Sequence, residues 1–208
     1  MNQRFDAAFA ALPLVAILRG VKPDEVEAIA LALYDAGFRL IEVPLNSPQA
    51  LESIARLARC LPADAVMGAG TVLSIDAADK VAAAGGQLIV MPHADTRVIE
   101  HVKQTPGLVC IPGAATPTEA LACVAAGADA VKLFPAELLT PGVVKALRAV
   151  LPPALRLLPV GGIAPGSMAA YRVAGASGFG LGGALYTPGM TAAQVAERAQ
   201  AFVSAWRG

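Results

Sequence analysis

Short apolar runs rich in β-branched residues alternate along this chain with Ala-rich stretches of helical period. The runs predict eight strands, at residues 15–19, 40–45, 65–71, 88–91, 108–111, 130–134, 155–160 and 178–181. Most are continuously apolar rather than alternating, the pattern of parallel strands covered on both faces. Ahead of the first strand, Phe5, Ala8, Phe9 and Leu12 fall at i, i+3, i+4 and i+7, which predicts an amphipathic helix.

Punctuation supports this count. Ala36-Gly37, Ala84-Gly85, Ala126-Gly127 and Ala174-Gly175 end helices with glycine where the left-handed C-terminal cap needs it. Pro62, Gly107 and Pro152-Pro153 mark the units between. Thr116-Pro117-Thr118-Glu119 reads as a capping box with proline at the first helical position, and Thr140-Pro141 repeats the cap-then-proline order. Eight strand–helix units in 208 residues predict one α/β domain spanning 1–208. Its expected form is a closed (β/α)8 TIM barrel with the N-terminal helix capping the barrel floor. An open doubly wound sheet is the alternative, but the first turn, Arg19-Gly20-Val21-Lys22-Pro23, lacks the G-x-G-x-x-G of that fold.

Composition narrows the function classes. Hydrophobic residues make up 56% of the chain and charged ones 15%, with sixteen basic residues against sixteen acidic. No run of either sign occurs, so neither a nucleic-acid footprint nor a polybasic membrane patch is expected. Residues 173–196 carry no charge, but Gly175, Gly178, Gly180, Gly182, Gly183, Pro188 and Gly189 make them a poor membrane helix. The opening residues lack the apolar run of a signal peptide. Cys60, Cys110 and Cys123 are odd in number and form no C-x-x-C pair, which points to reduced thiols in the cytoplasm.

In a barrel of this kind the chemistry lies where the strands end, so polar residues that interrupt strands there are the candidates. Of five lysines only Lys132 falls inside a predicted strand, and of sixteen acidic residues only Glu42 does. Arg19 closes the first strand and Thr71 the third. Period-two alternation lets Ala130, Lys132 and Phe134 share one face, and Leu40, Glu42 and Pro44 another. An unpaired charge facing the helix layer is costly, which favours the interior near the mouth. A lysine held there has its pKa lowered from about 10.4, and Arg19 nearby pushes the same way. The neutral amine can attack a ketone, and the resulting iminium draws electrons from a breaking C–C bond. Glu42 is then the candidate general base. The structural alternative is a buried Lys132–Glu42 ion pair.

Gly161-Gly162 follows the seventh strand and Gly182-Gly183 ends the eighth, the common phosphate-binding place in this fold. Tight turns without a ligand are the alternative. His93 reads as a solvated loop residue and His101 as one on a helix surface. No His, Asp or Glu cluster has metal-ligand spacing and no G-x-S-x-G elbow is present, so neither a metal site nor a serine nucleophile is expected.

Taken together, several of these residues resemble a known family. They are Arg19, Glu42, the run Gly68-Ala69-Gly70-Thr71-Val72, Lys132 within Val131-Lys132-Leu133-Phe134-Pro135-Ala136-Glu137, and Gly161-Gly162. The set is similar to the 2-keto-3-deoxy-6-phosphosugar-acid aldolases, in order and without large gaps from Leu14 to about Trp206. The resemblance implies a class I aldolase that needs no cofactor and no metal, acts on a phosphorylated 2-keto acid and assembles as a homotrimer. It makes Lys132 the Schiff-base lysine and Glu42 the general acid/base. Arg19 and Thr71 then hold the carboxylate end, while Gly161, Gly162, Gly182 and Gly183 hold phosphate beside Phe134 and Val160. Relatives usually carry serine where Gly183 stands, so a phosphate-binding hydroxyl is missing here. Pro44, Asn46 and Val160 resemble galactonate-type members, whereas gluconate-type members typically place threonine, arginine and threonine there. A phosphate-binding barrel isomerase or epimerase, with Glu42 as base and Lys132 as an electrostatic clamp, is the rival enzyme class. A silent sugar-phosphate binding subunit is the third reading.

Overall fold

The computed structural model describes residues 2–208. Its elements follow one another as α1 (Gln3–Ala11), β1 (Leu14–Ile17), α2 (Val26–Asp35), β2 (Leu40–Pro44), α3 (Ala50–Cys60), β3 (Val66–Gly70), α4 (Ile75–Ala83), β4 (Leu88–Val90) and α5 (Thr96–Gln104). They continue as β5 (Val109–Ile111), β6 (Gly113–Ala114), α6 (Pro117–Ala125), β7 (Val131–Leu133), α7 (Pro141–Arg148) and β8 (Leu157–Pro159). A 3-10 turn at Pro165–Ser167 leads into α8 (Met168–Val173), β9 (Phe179–Leu181) and α9 (Ala192–Arg207).

Every strand pair is parallel, and the strands form a curled sheet whose order is the chain order. One ladder runs β5-β4-β3-β2-β1-β9 and a second runs β6-β7-β8. The two are joined where Pro112 separates β5 from β6, and by a parallel bridge between Val160 and Gly180. Pro112 has no N–H to give the ladder, which is why the strand breaks there. Its carbonyl still accepts from the Lys132 N–H at 2.8 Å. The short extension beyond Pro112 is one feature the apolar pattern did not predict. The order contains no reversal of the kind an open doubly wound sheet uses at its switch point.

All eight predicted strands are present, but most end earlier than the sequence suggests. β1 stops at Ile17 and β3 at Gly70, so Arg19 and Thr71 lie in the turns just beyond. Thr71 has φ 56°, a left-handed conformation that no strand residue adopts. Phe134 and Val160 likewise sit one residue past β7 and β8.

Local signals were sound. Gly37, Gly85, Gly127 and Gly175 all have positive φ, as the C-terminal cap demands. Thr116 and Glu119 close the expected capping box on α6. Thr140 stands at the N-cap of α7 ahead of Pro141, but its side chain makes no cap hydrogen bond.

Two apolar clusters carry the packing. One lies between helices and sheet. The other joins Phe5, Ala8 and Phe9 of α1 to alternate strand residues such as Val15, Leu40, Val66, Leu88, Val109 and Leu158, and to Ala130 just ahead of β7. The predicted amphipathic helix is therefore real, with one correction. Leu12 belongs to the outer cluster, because the chain turns extended there at φ −159°. Arg4 and Asn2 pin α1 to the turns before β4 and β5 through bonds to Gln87 and the Gly107 carbonyl, both 2.9 Å. Among the described residues no helix is long and apolar enough to cross a membrane.

Candidate active site

Only four polar or charged residues are buried among those described, and two of them are Glu42, 1% exposed, and Lys132, 5% exposed. Both sit within strands whose neighbours are apolar or glycine. Glu42 on β2 lies level with Ile17 on β1 and Gly68 on β3. Lys132 on β7 lies level with Gly113 on β6 and Leu158 on β8. Their side chains line one inner cavity of about 10 Å³, walled by Val15, Ile17, Val90, Ile111, Leu158 and Val160. That is room for a single water-sized group.

Apolar walls decide the protonation of both groups. Burial strips hydration from the Glu42 carboxylate and pushes its pKa up from 4.5 to about 7, although Lys132, Arg19 and the Gly70 backbone pull the other way. For Lys132, burial favours the neutral amine and lowers its pKa; Glu42 opposes this and the Arg19 guanidinium reinforces it. No direct salt bridge joins the two, and Glu42 Oε2 is buried without a hydrogen-bond partner. The structural ion pair weighed from the sequence is not what the geometry shows. Gly70 makes room for this arrangement: a Cβ there would overlap the Glu42 carboxylate.

Lys132 also faces outward, into a cleft of about 410 Å³. Seven of the expected residues line that cleft with it: Arg19, Phe134, Val160, Gly161, Gly162, Gly182 and Gly183. The Phe134 ring centroid lies 4.7 Å from Lys132 Nζ, in cation–π range of the charged form. Gly161 (φ 114°) and Gly162 (φ 62°) hold backbone that side chains rarely adopt. Glu42 lines the inner cavity and not the cleft, whereas Ile17, Lys132 and Val160 line both.

Thr71 is not among the cleft's lining residues. It is half-buried next to Gly70, and its left-handed φ marks the kind of local strain that clusters at functional sites.

Some contacts at the site join residues that the sequence pattern does not link. Arg19 Nη1 donates to Asn46 Oδ1 at 2.7 Å, so the loop after β2 aims the arginine from β1. The Glu137 carboxylate leans against Gly161-Gly162, close enough that a Cβ on either glycine would crowd it. Glu137 ends the Lys132–Glu137 stretch after β7, and nothing local reveals that it meets the turn after the neighbouring β8. His93 lies in the loop after β4 as expected but is half-buried rather than solvated, with its Nδ1 buried without a partner. His101 lies on α5 as expected, bonded to Asp79 at 2.7 Å. Among the described residues no group of three or more His, Cys, Asp or Glu could hold a metal ion.

A desolvated amine and a carboxylate with raised pKa, facing one cavity below a glycine-lined cleft, are the equipment of imine chemistry with proton transfer. Comparison with known proteins agrees with that class. The family model "Aldolase: KDPG and KHG aldolase" matches residues 5–200, and the chain belongs to that family of aldolases. It is 46% identical over 93% of its length to a probable 2-dehydro-3-deoxy-6-phosphogalactonate aldolase of Rhizobium meliloti (strain 1021), covering 91% of that protein. It is 45% identical over 94% of its length to the 2-dehydro-3-deoxy-6-phosphogalactonate aldolase of Escherichia coli (strain K12), covering 95% of it. The solved structure described as "Native KDPGal structure" superposes with a TM-score of 0.92 at 44% identity, covering 94% of this chain and 95% of that one.

Proposed function

We propose that this protein is a class I aldolase that cleaves 2-dehydro-3-deoxy-6-phospho-D-galactonate to pyruvate and D-glyceraldehyde 3-phosphate. One observation carries the reading: Lys132 and Glu42 share a cavity without pairing, and burial drives the amine towards neutrality and the carboxylate towards neutral pH. The neutral Lys132 Nζ attacks the C2 ketone, and loss of water from the carbinolamine leaves an iminium. Glu42 takes the proton of the C4 hydroxyl as the C3–C4 bond breaks. The bonding electrons flow into the iminium and form an enamine, while the aldehyde product departs. Protonated Glu42 returns its proton to C3, and hydrolysis of the new iminium releases pyruvate.

The remaining assignments are part of the same proposal. Arg19, steadied by Asn46, and Thr71 take the carboxylate end of the substrate. Gly161, Gly162, Gly182 and Gly183 cradle its phosphate with backbone N–H groups, and Phe134 and Val160 form the walls. Asn46 and Val160 support the galactonate preference, since neither offers the arginine or threonine of gluconate-type members. The eight strands close into a (β/α)8 barrel floored by α1, a reading supported by the Val160–Gly180 bridge and by the apolar cluster around Phe5 and Phe9. The protein forms one domain over 1–208, of which Met1 lies outside the described residues, and acts as a cytoplasmic homotrimer.

Borohydride reduction in the presence of pyruvate tests the chemistry. The expected result is a stable secondary amine on Lys132, located by intact mass and peptide mapping, and absent from Lys132→Ala together with all turnover. An adduct on another lysine, or none with an active enzyme, would refute the class I mechanism.

A further inference from the structure

The two glycine pairs at the cleft differ in what they require. Gly161 and Gly162 have positive φ and are crowded by Glu137. Gly182 and Gly183 lie outside the left-handed region, and a Cβ on either would meet nothing within 4 Å. Backbone and packing therefore leave the second turn open, and the space around it faces the cleft.

A phosphate seated between these turns needs positive charge, and the lining provides little at this end. Among the described residues Lys132 and Arg19 are the only cations that line the cleft. Lys132 is committed to the ketone, and Arg19 is bonded to Asn46. The lining charge against Gly161-Gly162 is the Glu137 carboxylate, of the wrong sign. One cation outside the cleft lining, in a neighbouring depression with Gln194 and Glu197, reaches the second turn. Arg198 on α9 donates from Nη1 to the Gly183 carbonyl at 3.2 Å. That is its one side-chain hydrogen bond among the described residues, and no carboxylate pairs with it. A guanidinium has five donors in a fixed fork, which suits a carbonyl on one side and a phosphate oxygen on the other.

Extending the aldolase reading, we infer that Arg198 is a substrate-binding residue that supplies the positive charge for the phosphate group at the Gly182-Gly183 turn. The side chain is exposed, so the effect is that of a solvated charge-assisted contact rather than a buried one.

Arg198→Ala is expected to raise KM for the phosphorylated substrate roughly tenfold while kcat changes by less than about twofold, the size of one charged hydrogen bond. The unphosphorylated 2-keto-3-deoxygalactonate serves as comparator, and its kcat/KM is expected to change by less than about twofold. Arg198→Lys retains part of the affinity, because it keeps charge without the fork. Gly183→Ser in the Arg198→Ala background restores part of it, since the site has room for the hydroxyl. Arg59→Ala, which removes an exposed cation from the last turn of α3, leaves KM unchanged. Calorimetric titration with inorganic phosphate reads the site without any turnover, and binding to Arg198→Ala is expected to be roughly tenfold weaker than to wild type. Failure of wild type to trap pyruvate on Lys132 would overturn the aldolase reading, yet the phosphate titration would still decide the role of Arg198. Equal phosphate binding by wild type and Arg198→Ala overturns the inference. So does an equal loss on both keto acids.

Discussion

Glu42→Gln separates the cost of the buried Glu42 carboxylate from its proposed use in catalysis. Burial raises the Glu42 pKa from 4.5 to about 7, which means that the folded protein binds its proton more tightly than the unfolded chain does. At about 1.4 kcal/mol per pH unit, that rise corresponds to about 3 kcal/mol of folding stability. Below pH 4.5 the group is protonated in both states and costs nothing. Between 4.5 and about 7 the unfolded chain ionises first, so stability falls as the pH rises, and above about 7 the full penalty stays constant. Glutamine cannot ionise, and its amide adds a pH-independent term of about 1–3 kcal/mol if its donors find no partner. The diagnostic is therefore the slope and not the offset. Denaturant unfolding of wild type and Glu42→Gln, measured from pH 4 to 8.5, is expected to show the variant gaining about 3 kcal/mol relative to wild type across that window. In thermal unfolding the same gain is roughly 6–12 °C for a chain of this size. Turnover of the variant falls by about 10²–10⁴-fold, the ordinary contribution of general acid–base catalysis. A stability difference that does not change with pH would refute the claim that Glu42 is held in a desolvated, unpaired state. A variant that keeps wild-type turnover would remove it from the mechanism.

Other consequences follow from the same site. Gly70→Ala puts a methyl group into the space of the Glu42 carboxylate, so it is expected to cost about 1–3 kcal/mol of stability and most of the activity; wild-type kcat in this variant would contradict the packing described. Steady-state kcat/KM on the two purified C4 epimers is expected to favour the phosphogalactonate by roughly ten- to a hundredfold. Equal values would refute the subtype while leaving the Schiff-base mechanism in place.

The chain's own pattern determined much of this protein. Strand positions, helix ends at Gly37, Gly85, Gly127 and Gly175, and the α6 capping box depend on periodicity and local backbone chemistry, which neighbouring residues settle among themselves. Lys132 and Glu42 were legible for a related reason, because a charge inside an apolar strand stands out without knowledge of the fold. Other features depended on residues far apart in sequence. Thr71 was read as a strand end, but its left-handed turn places it outside the cleft lining. Glu137 against Gly161-Gly162, Asn46 holding Arg19, and Arg198 on the Gly183 carbonyl join segments that no local signal links. The degree of burial was equally hidden. Whether Lys132 and Glu42 form an ion pair or stay apart is decided by the apolar walls and the missing Cβ of Gly70, and those come together only when the sheet curls around them. Periodicity can place a charge on a strand, whereas its solvation, and so its pKa, belongs to the space that the whole fold encloses.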